Sequence, residues 1–259
     1  MAANVNTDTT KNHRVVVTRH GGPEVLQMIE EALPEPAAGE VRVKVLVAGV
    51  SAYDLMFRSS GRLPGTPKVP FTLGTDVVGV VDKVGEGVTE VEPGQMVAGG
   101  TFCYDGLRGY TEFICLPQSD VVPVPAGVDP AQAVCLVANY LTAQMAMHRT
   151  AAVQSGERIL VQGAAGGVGT ALLELGKLAG LEMYGTASEY NHDVVSELGA
   201  TPIDYRNEDF VQRIRALTGD GVDVVFDPIG GFRQLWRSNQ ALRKGGRLTW
   251  FGVAAAKKD

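Results

Sequence analysis

The sequence lacks several features that would place it in a special class of protein. Only three cysteines occur among 259 residues, and none of them forms a C-x-x-C pair: Cys103, Cys115 and Cys135. A small and uneven number of cysteines argues against a disulfide framework and favours reduced thiols in a cytosol. No window approaches the roughly 18 consecutive apolar residues of a membrane-spanning helix. The polar start from Met1 to His13 does not resemble a secretory signal.

Positive charge is also scarce. The chain carries 23 lysines and arginines against 29 aspartates and glutamates, a formal net charge of −6, with no long basic run. This argues against nucleic acid and anionic membranes as partners. Apolar residues make up 45% and charged residues 20%, so disorder and coiled coil are both poor interpretations. We expect a soluble cytoplasmic protein.

Glycine, by contrast, is abundant, with 32 residues, and it predicts many tight turns. The first part of the chain has β-branched runs separated by Gly and Pro clusters. Strands are predicted over residues 14–18, 40–48, 76–84 and 95–98. Many short strands with Gly/Pro turns predict a small barrel or sandwich.

The pattern changes near residue 128. Asp129-Pro130 predicts the start of a helix that runs to about Thr150, since Asp caps free amides and Pro suits the first helical position. Strands and helices then alternate: strand 158–162, helix 168–179, strand 181–186, helix 192–198, strand 202–205, a helix capped by Asn207 and ending near Gly219, strand 222–227, helix 232–243 and strand 247–253. This alternation predicts a parallel, doubly wound sheet.

The strongest site signal is Gly163-Ala-Ala-Gly-Gly-Val-Gly169, which follows the first of these strands and opens a helix. Glycines there let the backbone approach a pyrophosphate, whose charge then faces free helix amides and the positive end of the helix dipole. In this strand–turn–helix context the segment predicts dinucleotide binding. The alternative is a tight structural turn.

The end of the second strand bears on which dinucleotide binds. An acid there would bind a ribose 2′-hydroxyl and favour NAD, but the strand ends at Thr186-Ala-Ser188. Ser188 leaves room for a 2′-phosphate, and Tyr205 and Arg206 can supply a hydroxyl and a cation to it. Glu189 comes slightly late and is better explained as an exposed acid at a helix start. The alternative for Arg206 is a solvated loop charge.

Five segments occur together and in order: Gly21–Leu26, Ala48–Leu55, Asn139–Thr142, Gly163–Gly169 and Asp227–Gly230. With them the chain resembles the zinc-free quinone oxidoreductases of the medium-chain dehydrogenase/reductase superfamily, including ζ-crystallin-like and vesicle amine transport protein-like members. The resemblance covers essentially the whole chain. It implies a GroES-like β-barrel domain over residues 1–128 and a Rossmann domain over residues 129–259, with NADPH in the cleft between them.

The resemblance also implies which residues meet the cofactor. The pyrophosphate would be held by Ala165, Gly166, Gly167, Val168 and Gly169; the 2′-phosphate would lie by Ser188 and Tyr205; the nicotinamide half would lie near Asn139 and Thr142; and the later strand ends would line the cofactor with Ile229, Phe251, Gly252 and Val253. Relatives usually carry a lysine near Asn191 for the 2′-phosphate, and its absence weakens the NADPH prediction. Relatives also continue past the last predicted strand, so we expect a Rossmann domain that is truncated at its C-terminus.

The zinc branch of that superfamily binds its metal through a thiolate and an imidazole on the segments that match Ser51–Asp54 and Gly74–Asp76. Neither segment contains Cys or His here, and hydroxyls with a lone carboxylate do not suit zinc. The structural four-cysteine loop of that branch is also absent. The histidines are scattered and are interpreted as surface or structural residues: His13, His20, His148 and His192. The sequence therefore predicts no metal site.

A site without a metal cannot easily oxidise a plain alcohol, but it can pass hydride to an acceptor that is already electrophilic. A quinone or an α,β-unsaturated carbonyl meets that requirement. Ser51 and Tyr53 are the candidate catalytic residues, as hydrogen-bond donors to the developing oxyanion, although many relatives carry an asparagine in place of Ser51. Tyr53 can also return a proton to the enolate, which water can do as well; its alternative is an ordinary tyrosine at the edge of the core. Asp54 is interpreted as a helix cap, with a role as general base as the alternative, and Arg58 as a partner in an ion pair.

Three classes of function remain open. The first, which we predict, is an NADPH-dependent, metal-independent oxidoreductase acting on a small-molecule quinone or enone. The second is a binding protein that keeps the cofactor fold without turnover, and the third is an inactive truncated form. We further expect a homodimer.

Overall fold

The computed structural model describes residues 11–61, 65–101 and 108–254. The chain divides into two compact units between Ala138 and Asn139. Cys103 lies outside the described residues, whereas Cys115 and Cys135 are free thiols. None of the helices in the described ranges combines the length and the apolar character needed to cross a membrane.

The first unit is built from antiparallel sheets. Its described strands are β1 (Lys11–Val17), β2 (Leu26–Ala32), β3 (Glu40–Ala48), β4 (Phe71–Thr72), β5 (Asp76–Val84), β6 (Met96–Gly100), β7 (Phe113–Pro117) and β8 (Val121–Pro123), and the helix α1 (Ala52–Ser59) follows β3. The strands form a three-stranded sheet in the order β2-β1-β4 and a five-stranded sheet in the order β7-β3-β5-β6-β8. The prediction of a β domain in the first part of the chain is confirmed.

The core of the five-stranded sheet comes from alternating valines on its central strands. Val41 and Val43 on β3, and Val77 and Val81 on β5, are each at most 1% exposed and pack in one cluster. Alternate residues of a strand point to the same face, so this spacing buries one face of the sheet. The bounds predicted from that pattern for β3 and β5 are confirmed.

The helix predicted from Asp129-Pro130 is present as α2 (Pro130–Gln144). The Asp129 carboxylate accepts hydrogen bonds from the N–H groups of Ala131 (2.9 Å) and Gln132 (3.1 Å). A π-helical turn, Met145–Thr150, continues the helix to the predicted end.

The second unit alternates strand and helix. Its elements after α2 are β9 (Arg158–Val161), α3 (Gly167–Leu178), β10 (Glu182–Ala187), α4 (His192–Glu197), β11 (Thr201–Asp204), α5 (Phe210–Thr218), β12 (Val222–Asp227), α6 (Phe232–Ala241) and β13 (Leu242–Trp250). The strands are parallel in the order β11-β10-β9-β12-β13. Numbered along the chain this is 3-2-1-4-5, the order of a doubly wound dinucleotide-binding sheet. The predicted fold class is confirmed.

The centre of this sheet is buried on both faces. Ile159, Leu160 and Val161 of β9 are fully buried, with Ile159 and Val161 in one apolar cluster and Leu160 in another. Burial of both faces explains why the sequence of β9 has consecutive apolar residues instead of alternating apolar and polar ones. The strand order reverses at β9, and ligands of such sheets bind beyond the carboxyl ends of the strands at that point.

One predicted helix start is wrong. Asn207 does not cap α5, because its side chain donates to Asp204 Oδ2 (2.6 Å). The cap is Asp209, whose carboxylate accepts two N–H groups of the first helical turn. Both residue types make good caps, and Asp209 is the one that stands directly before the first helical residue, Phe210.

The last strand also differs from its predicted range of 247–253. β13 begins at Leu242 and ends at Trp250, because it pairs along the full length of β12 with an irregularity between Val222 and Val224. Consequently Phe251, Gly252 and Val253 follow the strand instead of ending it.

Candidate functional site

The glycine-rich turn (Gly163–Gly169) connects β9 to α3. Gly163 has a φ of +64°, in the left-handed region that glycine adopts without strain. The N–H of Gly166 donates to the carbonyl oxygen of Gly163 (2.9 Å), and Gly166 is the N-cap residue of α3. This hydrogen bond closes a tight turn, so that α3 begins only a few residues after β9 ends.

The first turn of α3 presents free backbone donors. The hydrogen-bond ladder begins with the N–H of Thr170 donating to the carbonyl oxygen of Gly166 (2.8 Å). The amides of Gly167, Val168 and Gly169 precede that bond and have no acceptor among the described residues. Free amides at the positive end of a helix dipole bind phosphate groups. The amides of Gly167–Gly169 therefore have the arrangement that suits an anion, and pyrophosphate binding by these residues stays a prediction.

Glycine is required in this turn for two different reasons. A Cβ on Gly169 would lie 2.7 Å from the carbonyl oxygen of Ala164 and closer still to that of Gly163, so the helix could not approach the turn. A Cβ on Gly167 would lie 2.8 Å from both amide atoms of Asn139. The structure thus brings Asn139 of α2 against the turn. Thr142, three residues later, lies on the same side of that helix.

The ends of β10 and β11 place the predicted 2′-phosphate residues side by side. Ala187 and Asp204 are register partners in the parallel pair, and Ser188 and Tyr205 are the residues that follow them. The amide of Asn191 donates to Ser188 Oγ (3.2 Å). Tyr205 is 52% exposed, with the guanidinium of Arg206 5.7 Å from its ring centre.

Two acidic residues, Asp204 and Glu189, lie near the ends of β10 and β11. The Asp204 carboxylate accepts from the N–H of Arg206 (2.9 Å) and from the side chain of Asn207. These bonds hold the pKa of Asp204 below its usual range. Glu189 is exposed in the short 3₁₀ turn that follows Ser188. β10 itself ends without an acid, as predicted for an NADPH site.

The later strand ends meet at the same edge of the sheet. The buried Asp227 carboxylate accepts from the N–H groups of Ile229 (2.8 Å) and Gly230 (3.0 Å), and its carbonyl oxygen accepts from the N–H of Phe251 (3.1 Å). Phe251 packs on the same apolar cluster as Ala165 and Val168. The structure therefore brings Ile229 and Phe251–Val253 together, next to the glycine-rich turn.

In the first unit, Ser51 and Asp54 form a capping box at the start of α1. The Ser51 hydroxyl donates to Asp54 Oδ2 (2.8 Å) and accepts from the N–H of Asp54. A hydroxyl has one proton, so this geometry does not support the predicted role of Ser51 as a donor to substrate. Asp54 is a structural cap, as the sequence indicates.

Tyr53 is the candidate donor that the structure leaves available. Its side chain is 43% exposed, and its ring lies 6.0 Å from that of Phe57, one helical turn away. Its hydroxyl has no hydrogen-bond partner among the residues that the structure describes. Arg58, on the same helix, donates to the carbonyl oxygen of Gly21 (3.3 Å), and the described residues give it no ion pair.

Two buried carboxylates lie close to this loop. Asp54 is 1% exposed, and its second oxygen accepts from the N–H of Gly74 (2.9 Å). Asp76 is 6% exposed, and its Oδ1 has no hydrogen-bond partner in the described part of the chain. Burial, reinforced by the negative charge of Asp54, raises the pKa of Asp76 to about 6.

These groups do not fit a zinc ion. The matching positions offer the hydroxyls of Ser51 and Thr75, the Asp54 carboxylate, which already accepts three hydrogen bonds, and the Asp76 carboxylate, whose Oδ1 accepts none among the described residues. Zinc prefers thiolate and imidazole ligands in tetrahedral array. Over the described ranges, no three His, Cys, Asp or Glu side chains converge as metal ligands. The absence of a metal stays a prediction, supported by this donor chemistry.

Sequence reasoning missed one set of residues at the site. The N–H of Gly163 donates to Thr186 Oγ1 (3.0 Å), and Thr186 in turn contacts Gln162 (2.8 Å). Both are polar residues in otherwise apolar strand ends. That exception to the apolar pattern is the signal that could have revealed them.

Known families match both parts of the chain. The alcohol dehydrogenase GroES-like domain matches residues 37–126, and the zinc-binding dehydrogenase family matches residues 167–259. The first match covers the five-stranded sheet, and the second covers the parallel sheet from α3 onward.

Individual relatives agree with these matches. The chain is 33% identical over 241 residues to the quinone oxidoreductase of Rattus norvegicus, covering 91% of this chain and 71% of that protein. It is 33% identical over 250 residues to the synaptic vesicle membrane protein VAT-1 homolog of Danio rerio, covering 95% of this chain and 50% of that protein. It therefore spans about half the length of this second relative.

A solved structure shows the same likeness. The quinone oxidoreductase of Escherichia coli, solved in complex with NADPH, superposes with a TM-score of 0.85 at 31% identity, covering 93% of this chain and 73% of that one. The strand order, the glycine-rich turn, the two family matches and the rat relative all lead to the same assignment. The chain belongs to the quinone oxidoreductases of the medium-chain dehydrogenase/reductase superfamily.

Proposed function

We propose that this chain binds NADPH and reduces a quinone or an α,β-unsaturated carbonyl without a metal. The observation that carries the proposal is the glycine-rich turn, with three free amides at the start of α3 and no acid at the end of β10. The Escherichia coli relative that carries NADPH supports the choice of cofactor.

The residues of the second unit bind and orient the cofactor in this proposal. The amides of Gly167–Gly169 hold the pyrophosphate, and Ser188 and Tyr205 lie by the 2′-phosphate. Asn139 and Thr142 lie toward the nicotinamide half, and Ile229 lines the cofactor from the end of β12. NADPH, when bound, supplies the hydride. The protein therefore has to position the acceptor and stabilise the charge that develops on its oxygen.

We assign to Tyr53 the hydrogen bond donated to that oxygen. The nearby donor set does not suit zinc, so the chain has no Lewis acid with which to activate a plain alcohol. An acceptor that is already electrophilic does not need one. The expected homodimer and the cytoplasmic location stay predictions.

The central experiment follows NADPH absorbance in the presence of the purified chain and a panel of quinones and enones, with and without a chelator. We expect consumption of NADPH that the chelator leaves unchanged. A parallel titration of protein fluorescence with NADPH separates binding from turnover. Binding without turnover would support the alternative, a cofactor-binding protein, for which the similarity to the VAT-1 homolog is the specific observation. Absence of both would overturn the proposal.

Tyr53→Phe should lower kcat about tenfold and leave KM for NADPH unchanged. The expected effect is smaller than the roughly 100-fold or more that is usual for a proton donor, because water can replace the phenol. The matched control is Ser51→Ala, which should keep kcat but lower the free energy of unfolding by about 1 kcal/mol through loss of the cap. The reverse pattern, with turnover lost in Ser51→Ala and kept in Tyr53→Phe, would exchange the two roles.

A separate prediction concerns the choice between NADPH and NADH. Asn191→Lys should widen the preference for NADPH about tenfold, because a charge-assisted hydrogen bond contributes about 1.5–3 kcal/mol and a tenfold change equals about 1.4 kcal/mol. Asn191 contacts Ser188 directly, so the new cation enters the expected phosphate site. The measurement is kcat/KM with each cofactor. Equal values with NADH, unaffected by Tyr205→Ala, would show that no 2′-phosphate site is present.

A further inference from the structure

A line of buried polar side chains crosses the carboxyl ends of β10, β9 and β12. The Gly163 N–H donates to Thr186 Oγ1 (3.0 Å), which donates to Gln162 Oε1 (2.8 Å). The Gln162 amide nitrogen lies 3.5 Å from Ser238 Oγ on α6, and Ser238 Oγ donates to Asp227 Oδ2 (2.7 Å). We call this line the strand-end network.

Burial of the strand-end network costs free energy, because its polar side chains are removed from water. Gln162 and Thr186 are each 1% exposed, and Ser238 and Asp227 are fully buried. Polar groups taken out of water contribute little net stability even when they are paired, and apolar side chains of the same shape could fill such a place. Stability of the sheet therefore does not account for this network, and a role in fixing geometry does.

The Asp227 carboxylate sets the direction of every bond in the network. A carboxylate only accepts, so Ser238 must use its one proton on Asp227 and accept from the Gln162 amide. The side-chain oxygen of Gln162 then faces Thr186 and accepts a hydrogen bond from the Thr186 hydroxyl. Thr186 is left to accept from the Gly163 N–H. The reversed Gln162 amide would set two acceptor oxygens against each other at Ser238. Bonds aligned in one direction reinforce each other.

Both ends of the network hold cofactor turns. At one end lies Gly163, the first residue of the glycine-rich turn. At the other, Asp227 uses its second oxygen to hold the N–H groups of Ile229 and Gly230. We propose that Gln162, Thr186 and Ser238 are positioning residues that fix the distance between these two turns, and hence between the parts of the cofactor that the two turns contact. The inference rests on the proposed function.

The test compares Thr186→Val, which keeps the shape but removes the hydroxyl, with Thr186→Ser, which keeps the hydroxyl. Titration of protein fluorescence should show the Kd for NADPH raised about fivefold in Thr186→Val, the loss expected for one hydrogen bond of average strength. The Kd for NADH should rise by the same factor, because both cofactors share the pyrophosphate. Thr186→Ser should bind within about twofold of the original chain.

A merely structural role would give a different result. It would lower Tm in Thr186→Val while the folded protein kept its Kd, and that outcome overturns the inference. Failure of Thr186→Ser to restore binding overturns it as well.

The far end of the network supplies an independent variant. Ser238→Ala does not touch the glycine-rich turn, yet it should raise the Kd in the same direction. The double variant Thr186→Val/Ser238→Ala should be less than additive, because both changes break one line of bonds. Full additivity, or an unchanged Kd in Ser238→Ala, contradicts transmission along the network.

The original chain separates this inference from the proposed function. If it binds NADPH and Thr186→Val binds equally well, the positioning role alone is overturned. If the original chain binds no NADPH, the proposed function is overturned and the positioning role falls with it.

Discussion

Gly169→Val should abolish measurable binding of NADPH. Even the first side-chain carbon would lie 2.7 Å from the carbonyl oxygen of Ala164 and nearer to that of Gly163. Both obstacles are backbone, so no rotamer change can relieve them, and α3 must move away from the turn. We expect the Kd for NADPH to rise at least about 100-fold, equivalent to about 2.8 kcal/mol.

Gly166→Ala is the matched control, because its Cβ would meet one atom only, the carbonyl oxygen of Gly163 at 3.2 Å. This contact is tight but tolerable, so Tm should stay close to that of the original chain while Gly169→Val lowers it. Because Gly166 is exposed at the turn, Gly166→Val should weaken binding through obstruction of the phosphate, with the fold retained. Unchanged affinity for NADPH in both Gly169→Val and Gly166→Val would show that this turn is not the cofactor site.

Asp76→Asn should stabilise the chain at neutral and alkaline pH. An unfolded aspartate has a pKa of about 3.9, and burial raises the pKa of Asp76 to about 6 in the folded chain. A group whose pKa rises on folding contributes most to stability below its unfolded pKa, and that contribution is lost as the pH passes the folded pKa. The ionised Asp76 therefore destabilises the fold at neutral pH, and the neutral amide does not.

The gain should be on the order of 2 kcal/mol at pH 8 and close to zero at pH 4. Two pKa units correspond to about 2.7 kcal/mol, and relaxation of the surrounding protein and solvent reduces that figure. Urea unfolding of both proteins across this pH range measures the difference. Asp82→Asn is the control, an acid on the same strand that pairs with Arg42 at 2.6 Å, and it should be neutral or slightly destabilising. An Asp76→Asn chain less stable than the original at pH 8 would contradict the buried-charge argument.

The parts of the fold that the sequence predicts are those governed by local pattern. Alternating valines on β3 and β5 bury one face whatever the rest of the chain does, so their bounds follow from spacing. The alternation of strand and helix after Asp129 predicts a parallel sheet for the same reason. The glycine-rich turn is also local, because the strand, the turn and the helix start are consecutive.

Details that depend on competition between neighbouring residues are less predictable. Asn207 and Asp209 are both residue types that favour the N-cap position. The choice between them depends on Asp204, whose carboxylate accepts a hydrogen bond from the Asn207 side chain. Likewise, β13 extends back to Leu242 because β12 offers it partners there. In both cases the deciding residue lies outside the segment being predicted.

The sequence by itself determined the order of elements in the second unit, the glycine-rich turn and the absence of an acid at the end of β10. Only the tertiary structure decided what each polar side chain does. The Ser51 hydroxyl, predicted as a donor to substrate, donates its hydrogen bond to Asp54 in the folded chain, and its catalytic role stays a prediction. Thr186 gains a role because the parallel sheet brings it beside Gln162, 24 residues earlier in the chain. The physical reason is that a hydrogen-bonding side chain has a fixed number of donors and acceptors, and folding alone determines which partners satisfy them.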